Sequence, residues 1–400
     1  MGQSVEDSYA ALDAAPALFA ASQDLTLGIE EELQILDPAT RSLTNRFADL
    51  KAALDAAGLA DCTAGELISS EIEIKTDRCE TFAQAADQII QRRRRLIEIA
   101  DELGLEVCAL GVHPWSPWWE QRIIDTPHYR LVEETLRYVA WRNNTFGIHV
   151  HVGVQGADRA MALCNAVRPH LPDLLALSCS SPWYEGRRTH LHSTRSQLFT
   201  RMFPRCGIPE AFAGWADYDG FVRLLLGTGS IREHTEIWWC VRPHQAYGTI
   251  ELRNADALPD VRESLAVAAF AYLMAARRLR SIDEGEPQVD LTCRVIEENT
   301  WRAIRNGLDG ELIDYERGMR SVPAAERIRA LLADAEPEAR ALGLAPHVAV
   351  IERMLDEGNC AQRIMRALDG GASIEEAFAV EVAATRDSVA EAIGGGHGRT

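Results

Sequence analysis

One segment limits what this chain can become more than any other. Phe146-Gly147-Ile148-His149-Val150-His151-Val152-Gly153-Val154 alternates strictly, with Val150, Val152 and Val154 on one face of a strand (Ile148 in phase) and His149 and His151 on the other. Three further stretches repeat the pattern. In Leu25–Leu36 the apolar residues fall at 25, 27 and 29, then 33 and 35, and Glu30 and Glu32 share a face before the turn signal Asp37-Pro38. Ile72 and Ile74 oppose Glu71, Glu73 and Lys75, whereas Glu66 is out of phase and joins them only across a bulge or break. Thr249, Glu251 and Arg253 line one face of Gly248–Asn254. A sheet face turned into a closed core cannot hold this many carboxylates, because an unpaired buried ion costs several kcal/mol. Either the face is solvated or something cationic sits on it. Each pair alone reads as a solvated strand face; their joint occurrence points to a site. Magnesium takes carboxylate oxygens, and manganese accepts imidazole as well.

The organisation around these strands is uneven. Residues 1–24 form an Ala-rich lead-in, expected as a short helix or a disordered arm. Residues 25–257 are expected as a strand-rich core and 258–393 as a helical part of the same domain, with a flexible tail over 394–400. Helices are expected over Thr81–Leu103, around Ala157–Leu177, and over Asp260–Arg280, Pro287–Gly307, Ala324–Ala333, His347–Asp356 and Ile374–Ile393. Arg92-Arg93-Arg94-Arg95 is read as a solvated helix face. Strands linked by hairpins and long loops predict an α+β fold with a mostly antiparallel sheet.

Composition narrows the function. Sixty Asp and Glu against 41 Lys and Arg give a net charge of −19, which argues against nucleic acid or an anionic membrane as the main partner. No apolar run approaches a membrane span and no signal peptide is evident, which favours the cytoplasm. Nine scattered cysteines without a CxxC exclude a disulfide framework or a thiolate zinc site. Lys51 and Lys75 are the only lysines, so an oxyanion grip is expected from arginine. Carboxylates with an arginine on one sheet face suit ATP-dependent phosphoryl transfer, in which metal ions neutralise the phosphates. No GxxxxGK[ST] loop is present, so ATP would be held on metal ions and arginines.

Several blocks together resemble the type-2 glutamate–cysteine ligases, and more closely the YbdK-type carboxylate–amine ligases. They are Gly28-Ile29-Glu30-Glu31-Glu32, Gly147–Gly153, Ser180-Ser181-Pro182-Trp183 with Gly186-Arg187, Trp239–His244 running into Gly248–Arg253, and Glu298–Leu308. The resemblance implies a glutamine-synthetase-like fold, with a curved antiparallel sheet around the active site. It implies an enzyme that uses ATP and Mg2+ (or Mn2+) to phosphorylate a carboxylate, usually that of glutamate. An amine, classically that of cysteine, then attacks the acyl phosphate to give an amide. By this resemblance Glu30, Glu32, Glu66, Glu73, His149 and Glu251 match metal ligands, and Arg253 matches an arginine at the transferred phosphoryl group. Arg195 and Arg242 are secondary candidates for phosphate or substrate carboxylate, with a surface salt bridge as the competing reading. His151 is placed beside the metal face as a substrate or metal contact. His113 is expected to line the pocket, or to be a packed loop histidine. A homo-oligomer is expected. Cys240 stands where the family pattern has aspartate, His190 where it has glycine and Thr194 where it has tyrosine, which leaves the acid and the acceptor amine open. Two other readings of the residues remain: a metal-dependent hydrolase built on His149 and His151, and a non-catalytic nucleotide or metabolite sensor.

Overall fold

The computed structural model describes residues 5–395. Seven strands build the main sheet: β1 (Leu27–Leu36), β2 (Thr63–Ala64), β3 (Glu71–Lys75), β4 (Glu106–Cys108), β5 (Gly147–Gly153), β6 (Val241–His244) and β7 (Thr249–Asp256). They run in the order β6-β7-β5-β1-β3-β2, with β4 also paired to β1, and every pairing is antiparallel. The α+β class and the antiparallel sheet are therefore as expected. The register explains why the ionisable residues meet. Glu30 stands opposite His149, Glu32 opposite Glu73, Glu251 opposite His151, and Arg242 opposite Glu251. Because side chains alternate, these cross-strand partners share one face.

The other face is the core. Ile29, Leu33, Ile72, Ile74, Val150, Val152, Ile250 and Leu252 are all buried there. They are covered by α1 (Val5–Ala21), α2 (Phe82–Glu102), α4 (Ala157–Val167), α5 (Leu171–Ser178), α6 (Val261–Asp283) and α7 (Ile374–Gly395), whereas α3 (Pro127–Leu136) lines a cleft on the opposite face. The central cover is α6, buried over nearly its whole length and packed against α4, β5 and the helix Ala345–Glu357. Its first turn is capped by the Asp260 carboxylate, which accepts from the Arg262 amide.

Local departures from expectation have physical causes. The lead-in is helical, and Leu12, Ala15 and Phe19 of α1 are buried in the common core. The helix expected over 157–177 is broken into α4 and α5 by a single 3₁₀ turn at Arg168–His170, where Pro169 and Pro172 withhold amide donors. The helical part also contains a hairpin, Glu311–Asp314 with Arg320–Pro323, that periodicity did not reveal. Of the expected tail, Gly394 and Gly395 end α7, and residues 396–400 lie outside the described residues. The arginine run is the largest correction. Arg93 is fully buried on the apolar side of the sheet, where its Nε and Nη2 donate to the two Glu31 oxygens at 3.0 and 2.8 Å. Glu31 faces the core because its neighbours Glu30 and Glu32 face the other way, and a core carboxylate requires a buried cation.

Candidate active site

The charged face is organised around Glu30. Its Oε2 lies 3.1 Å from His149 Nδ1, and its Oε1 lies 3.5 Å from His151 Nε2. His149 Nε2 in turn is 3.5 Å from Glu32 Oε1. The second Glu32 oxygen accepts the Gly147 amide, which fixes that carboxylate against the end of β5. Glu251, almost fully buried, is gripped by Arg242 Nε at 2.7 Å and by Arg253 Nη1. Arg253 reaches this position through a bulge in β7: between Leu252 and Ala255 the strand carries one extra residue against β5. Arg253 Nη1 consequently also sits 3.5 Å from His149 Nδ1, while the Asn254 side chain turns away to bond the Leu171 carbonyl.

Glu66 joins this face as expected, across a break: it sits in the irregular segment between β2 and β3 rather than on either strand. It lines a narrow inner cleft together with Glu32, Glu71, His149, Arg195 and Arg253. A larger outer cleft, about 1300 Å³, opens at the other end of the strands and is lined by Gly28, Glu30, Lys75, Arg78, His151, Tyr247 and residues of α1. The Glu30–His149 contact spans the wall between the two.

The carboxylates divide electrostatically. Burial pushes Glu30 upward, but His151 and His149 beside it hold it well below its ordinary value. Burial likewise opposes ionisation of Glu251, and the Arg242 and Arg253 guanidiniums outweigh it. On the inner side burial wins. It raises Glu66 to about 7, helped by the Glu32 charge, and raises Glu71 and Glu73 well above the usual range, with neighbouring carboxylates adding to the effect. Burial pulls His151 downward, yet Glu30 and Glu251 raise it overall.

These residues fit a divalent cation. Ligand atoms of Glu30, His151 and Glu251 lie within 4.8 Å of one another, and so do those of Glu30, Glu73 and His149. His151 Nε2 is buried and lacks a hydrogen-bond partner, as a nitrogen aimed at an ion would. The upward shifts of Glu66 and Glu73 are what crowded carboxylates show when nothing neutralises them.

The arginine candidates separate. Arg195, buried and set in the inner cleft, has its Nη1 3.9 Å from Asp256 Oδ1 and its Nη2 bonded to the Arg253 carbonyl. Asp256 also receives the Ser181 and Ser193 hydroxyls, so one buried carboxylate anchors the loop that delivers Arg195. Arg242 is not open to a ligand as the sequence suggested: besides Glu251 it donates to the Thr235 and Ile237 carbonyls, so it braces Glu251. His113 is a second correction. It lines neither cleft; its Nδ1 accepts the Trp115 and Ser116 amides, its Nε2 donates to the Arg41 carbonyl at 2.8 Å, and burial lowers it to about 3. Its role is to fold its own loop. Of the departures from the family pattern, Cys240 is buried beside the Arg195 and Arg253 charges. His190 is exposed at φ 59°, the backbone region glycine favours, and bonds through its carbonyl to Arg305.

Sequence reasoning missed Glu71 as a cleft residue although it had placed it on the right face. Lys75 lines the outer cleft, although an oxyanion grip was expected from arginine. His128, Tyr129, Asn143 and Thr145, all in the inner cleft, carried no periodic signal because they come from α3 and the segment before β5.

A profile of glutamate-cysteine ligase family 2 (GCS2) matches residues 26–384. The chain belongs to this family. Membership makes it a ligase of the glutamate–cysteine ligase type. Its relatives include a protein provisionally named glutamate–cysteine ligase 2-3 from Rubrobacter xylanophilus, 39% identical over 325 residues that cover 81% of this chain and 87% of the relative. Another, provisionally named glutamate–cysteine ligase 2, is from Solibacter usitatus, 36% identical with 86% and 88% covered. Two solved structures share the fold. The glutamate–cysteine ligase of Francisella tularensis in complex with AMP superposes with a TM-score of 0.65 at 13% identity, covering 93% of this chain and 94% of that one. The bifunctional glutathione synthetase of Pasteurella multocida gives 0.67 at 16% identity, covering 96% and 54%. Among the described residues no helix is long and apolar enough to cross a membrane.

Proposed function

We propose that the protein is an ATP-dependent carboxylate–amine ligase that activates an amino-acid carboxylate, glutamate in the first instance, as an acyl phosphate and passes it to an amine. The observation that carries this reading is the position of Arg253. It reaches from a buried carboxylate, Glu251, into the inner cleft beside His149, on a sheet face whose two ends open into separate clefts.

The outer cleft suits a nucleotide. Lys75 and Arg78 supply positive charge, and Tyr247, stacked on His244 at 4.4 Å, supplies an aromatic wall. The inner cleft suits the acid: Arg195, set in it with Cys240 buried alongside, offers a guanidinium to the distal carboxylate. Glu30, Glu32, Glu66, Glu73, His149, His151 and Glu251 would hold magnesium or manganese, whose chemistry is to neutralise phosphate and carboxylate charge so that the two can approach. Arg253 stabilises the charge that builds on the transferred phosphoryl group, and Arg242 keeps Glu251 ionised and immobile. Orientation and charge compensation are what phosphoryl transfer asks of a protein, so no side-chain nucleophile is needed.

The test is ADP release with Mg2+, ATP, glutamate and a panel of amines. Amine-stimulated turnover is expected; absence of stimulation by any acid–amine combination defeats the assignment. Glu251→Gln is expected to abolish turnover with the fold retained, because Arg242 and Arg253 lose the charge that sets them. Turnover at the wild-type rate in that variant would mean that the metal face is misplaced.

A further inference from the structure

A ligase of this kind needs one more group than the sheet provides. The acceptor amine is an ammonium ion at neutral pH and has no lone pair to attack with. Glu30, Glu32, Glu66, Glu73 and Glu251 are the proposed cation ligands, burial holds Glu71 toward its neutral form, and His149 and His151 face the same carboxylates.

We propose that His128 is the general base that frees the acceptor amine; the proposal rests on the ligase reading above. His128 lines the inner cleft, half-exposed, with Glu66, His149 and Arg253. Its Nδ1 lies 2.7 Å from Oε2 of Glu233, a carboxylate that is almost fully buried. A carboxylate only accepts, so Nδ1 carries a proton, and it is Nε2 that offers a lone pair in the neutral imidazole. Glu233 is itself fixed: it caps the short turn His234–Glu236, Thr235 Oγ1 donates to the same oxygen at 3.2 Å, and its other oxygen is buried without a partner. A base oriented by a buried acid is the arrangement proton transfer uses elsewhere.

The helix holds the ring in place. Thr126 caps α3 by accepting the Tyr129 amide, and Pro127 sets the first turn. The Tyr129 hydroxyl donates to the Gly65 carbonyl at 2.5 Å. Gly65 precedes Glu66, so the turn carrying His128 is tied to the segment that brings Glu66 to the cleft.

In the step, Nε2 takes one proton from the incoming ammonium. The freed nitrogen pair forms the C–N bond to the acyl carbon. The C–O bond to phosphate breaks with its electron pair on the phosphate, which departs with the second nitrogen proton. The products are the amide, monohydrogen phosphate and imidazolium, which returns its proton to solvent.

Hydroxylamine separates this role from a structural one, because it is already uncharged at neutral pH. Full-length protein is assayed with ATP, Mg2+ and glutamate, with hydroxylamine or with alkyl amines including cysteine and methylamine. His128→Gln is expected to lower the alkyl-amine rate by about 10²- to 10⁴-fold, the range of general-base contributions, and the hydroxamate rate by less than tenfold. Glu233→Gln is expected to shift the same ratio in the same direction. Equal losses with both acceptors in His128→Gln would overturn the proposal, as would wild-type turnover with hydroxylamine alone. No wild-type turnover with any acceptor would bring down the ligase reading itself, and this proposal with it. The ratio is read within one protein sample, so partial misfolding does not alter it.

Discussion

The buried Arg93–Glu31 pair offers the sharpest test of how the sheet is held. Arg93 makes four hydrogen bonds from a position with no solvent exposure: two to Glu31, one to the Pro259 carbonyl at 2.7 Å and one to the Leu258 carbonyl at 3.2 Å. It therefore joins the middle of β1 to α2 and to the segment entering α6. Arg93→Met keeps the volume and removes the charge. Glu31 would then be left with the Ser264 hydroxyl alone. Removing one partner of a buried pair costs about 3–5 kcal/mol. Two carbonyls losing donors add about 1 kcal/mol each. The sum, about 5–7 kcal/mol, is a large part of a typical domain's stability of about 5–15 kcal/mol. Replacing both members, Glu31→Leu with Arg93→Met, removes the stranded charge and should recover more than half of that loss. Denaturant midpoints followed by tryptophan fluorescence, with slopes compared to detect intermediates, measure both. Arg93→Met within 1 kcal/mol of wild type, or a double variant no more stable than the single one, would refute the argument.

Three further outcomes follow from the same geometry. Glu66 is raised from 4.5 to about 7, and Glu71 and Glu73 are raised as well, so the unfolded chain releases these protons first as pH rises. Metal-free protein should accordingly lose thermal stability between about pH 4.5 and 7. Mg2+ or Mn2+ should raise Tm more at pH 7.5 than at pH 5.5; stability that climbs with pH over this window in the absence of metal would contradict the shifts. A methyl group at position 147 would fall 2.1 Å from Arg195 Nη2, so Gly147→Ala should displace that guanidinium and raise the KM for the acid about tenfold or more, with the nucleotide KM little changed. His113→Ala should lower the denaturation midpoint, since buried amides and a carbonyl lose partners at about 1–3 kcal/mol each, and leave ADP release per folded molecule unaltered.

Much of the candidate site's shared face was legible because strands write their faces into the sequence with a period of two. Glu30, Glu32, Glu73, His149, His151 and Glu251 could be assigned to one face before any pairing was known, and the antiparallel register then had only to bring the strands side by side. What periodicity cannot carry is a residue that arrives from outside the sheet. Arg93 falls on the apolar stripe of its helix, four residues after Ile89 and three and four before Leu96 and Ile97, so its spacing marks it for burial while its charge, shared with Arg92, Arg94 and Arg95, reads as solvated. Only the buried Glu31 opposite demands it. His128 and Tyr129 come from α3, and their relation to Glu66 depends on the Tyr129–Gly65 bond across 64 residues. His113 failed for the opposite reason: a histidine among tryptophans and prolines looks like a pocket wall, but its three backbone bonds fold its own loop.

The two halves of the cation face are prepared differently, and the difference bears on how an acidic chain handles phosphate. Glu30 and Glu251 are kept ionised by histidines and arginines that are part of the protein, so this half presents charge whether or not a ligand is present. For Glu66 and Glu73 burial and the neighbouring carboxylates win, and the Arg253 charge does not outweigh them at Glu66, so their neutral forms are favoured. A divalent ion entering there must displace protons, and the affinity of that half therefore rises with pH. Once ions are bound, the local sign inverts and the face becomes a receptor for anions. The surplus of 60 acidic over 41 basic residues is thus no barrier to nucleotide chemistry. Under the proposed ligase reading, the part of it buried on this sheet would create the demand for cations, and Arg253, held by Glu251, would supply the permanent positive charge around which phosphates are placed.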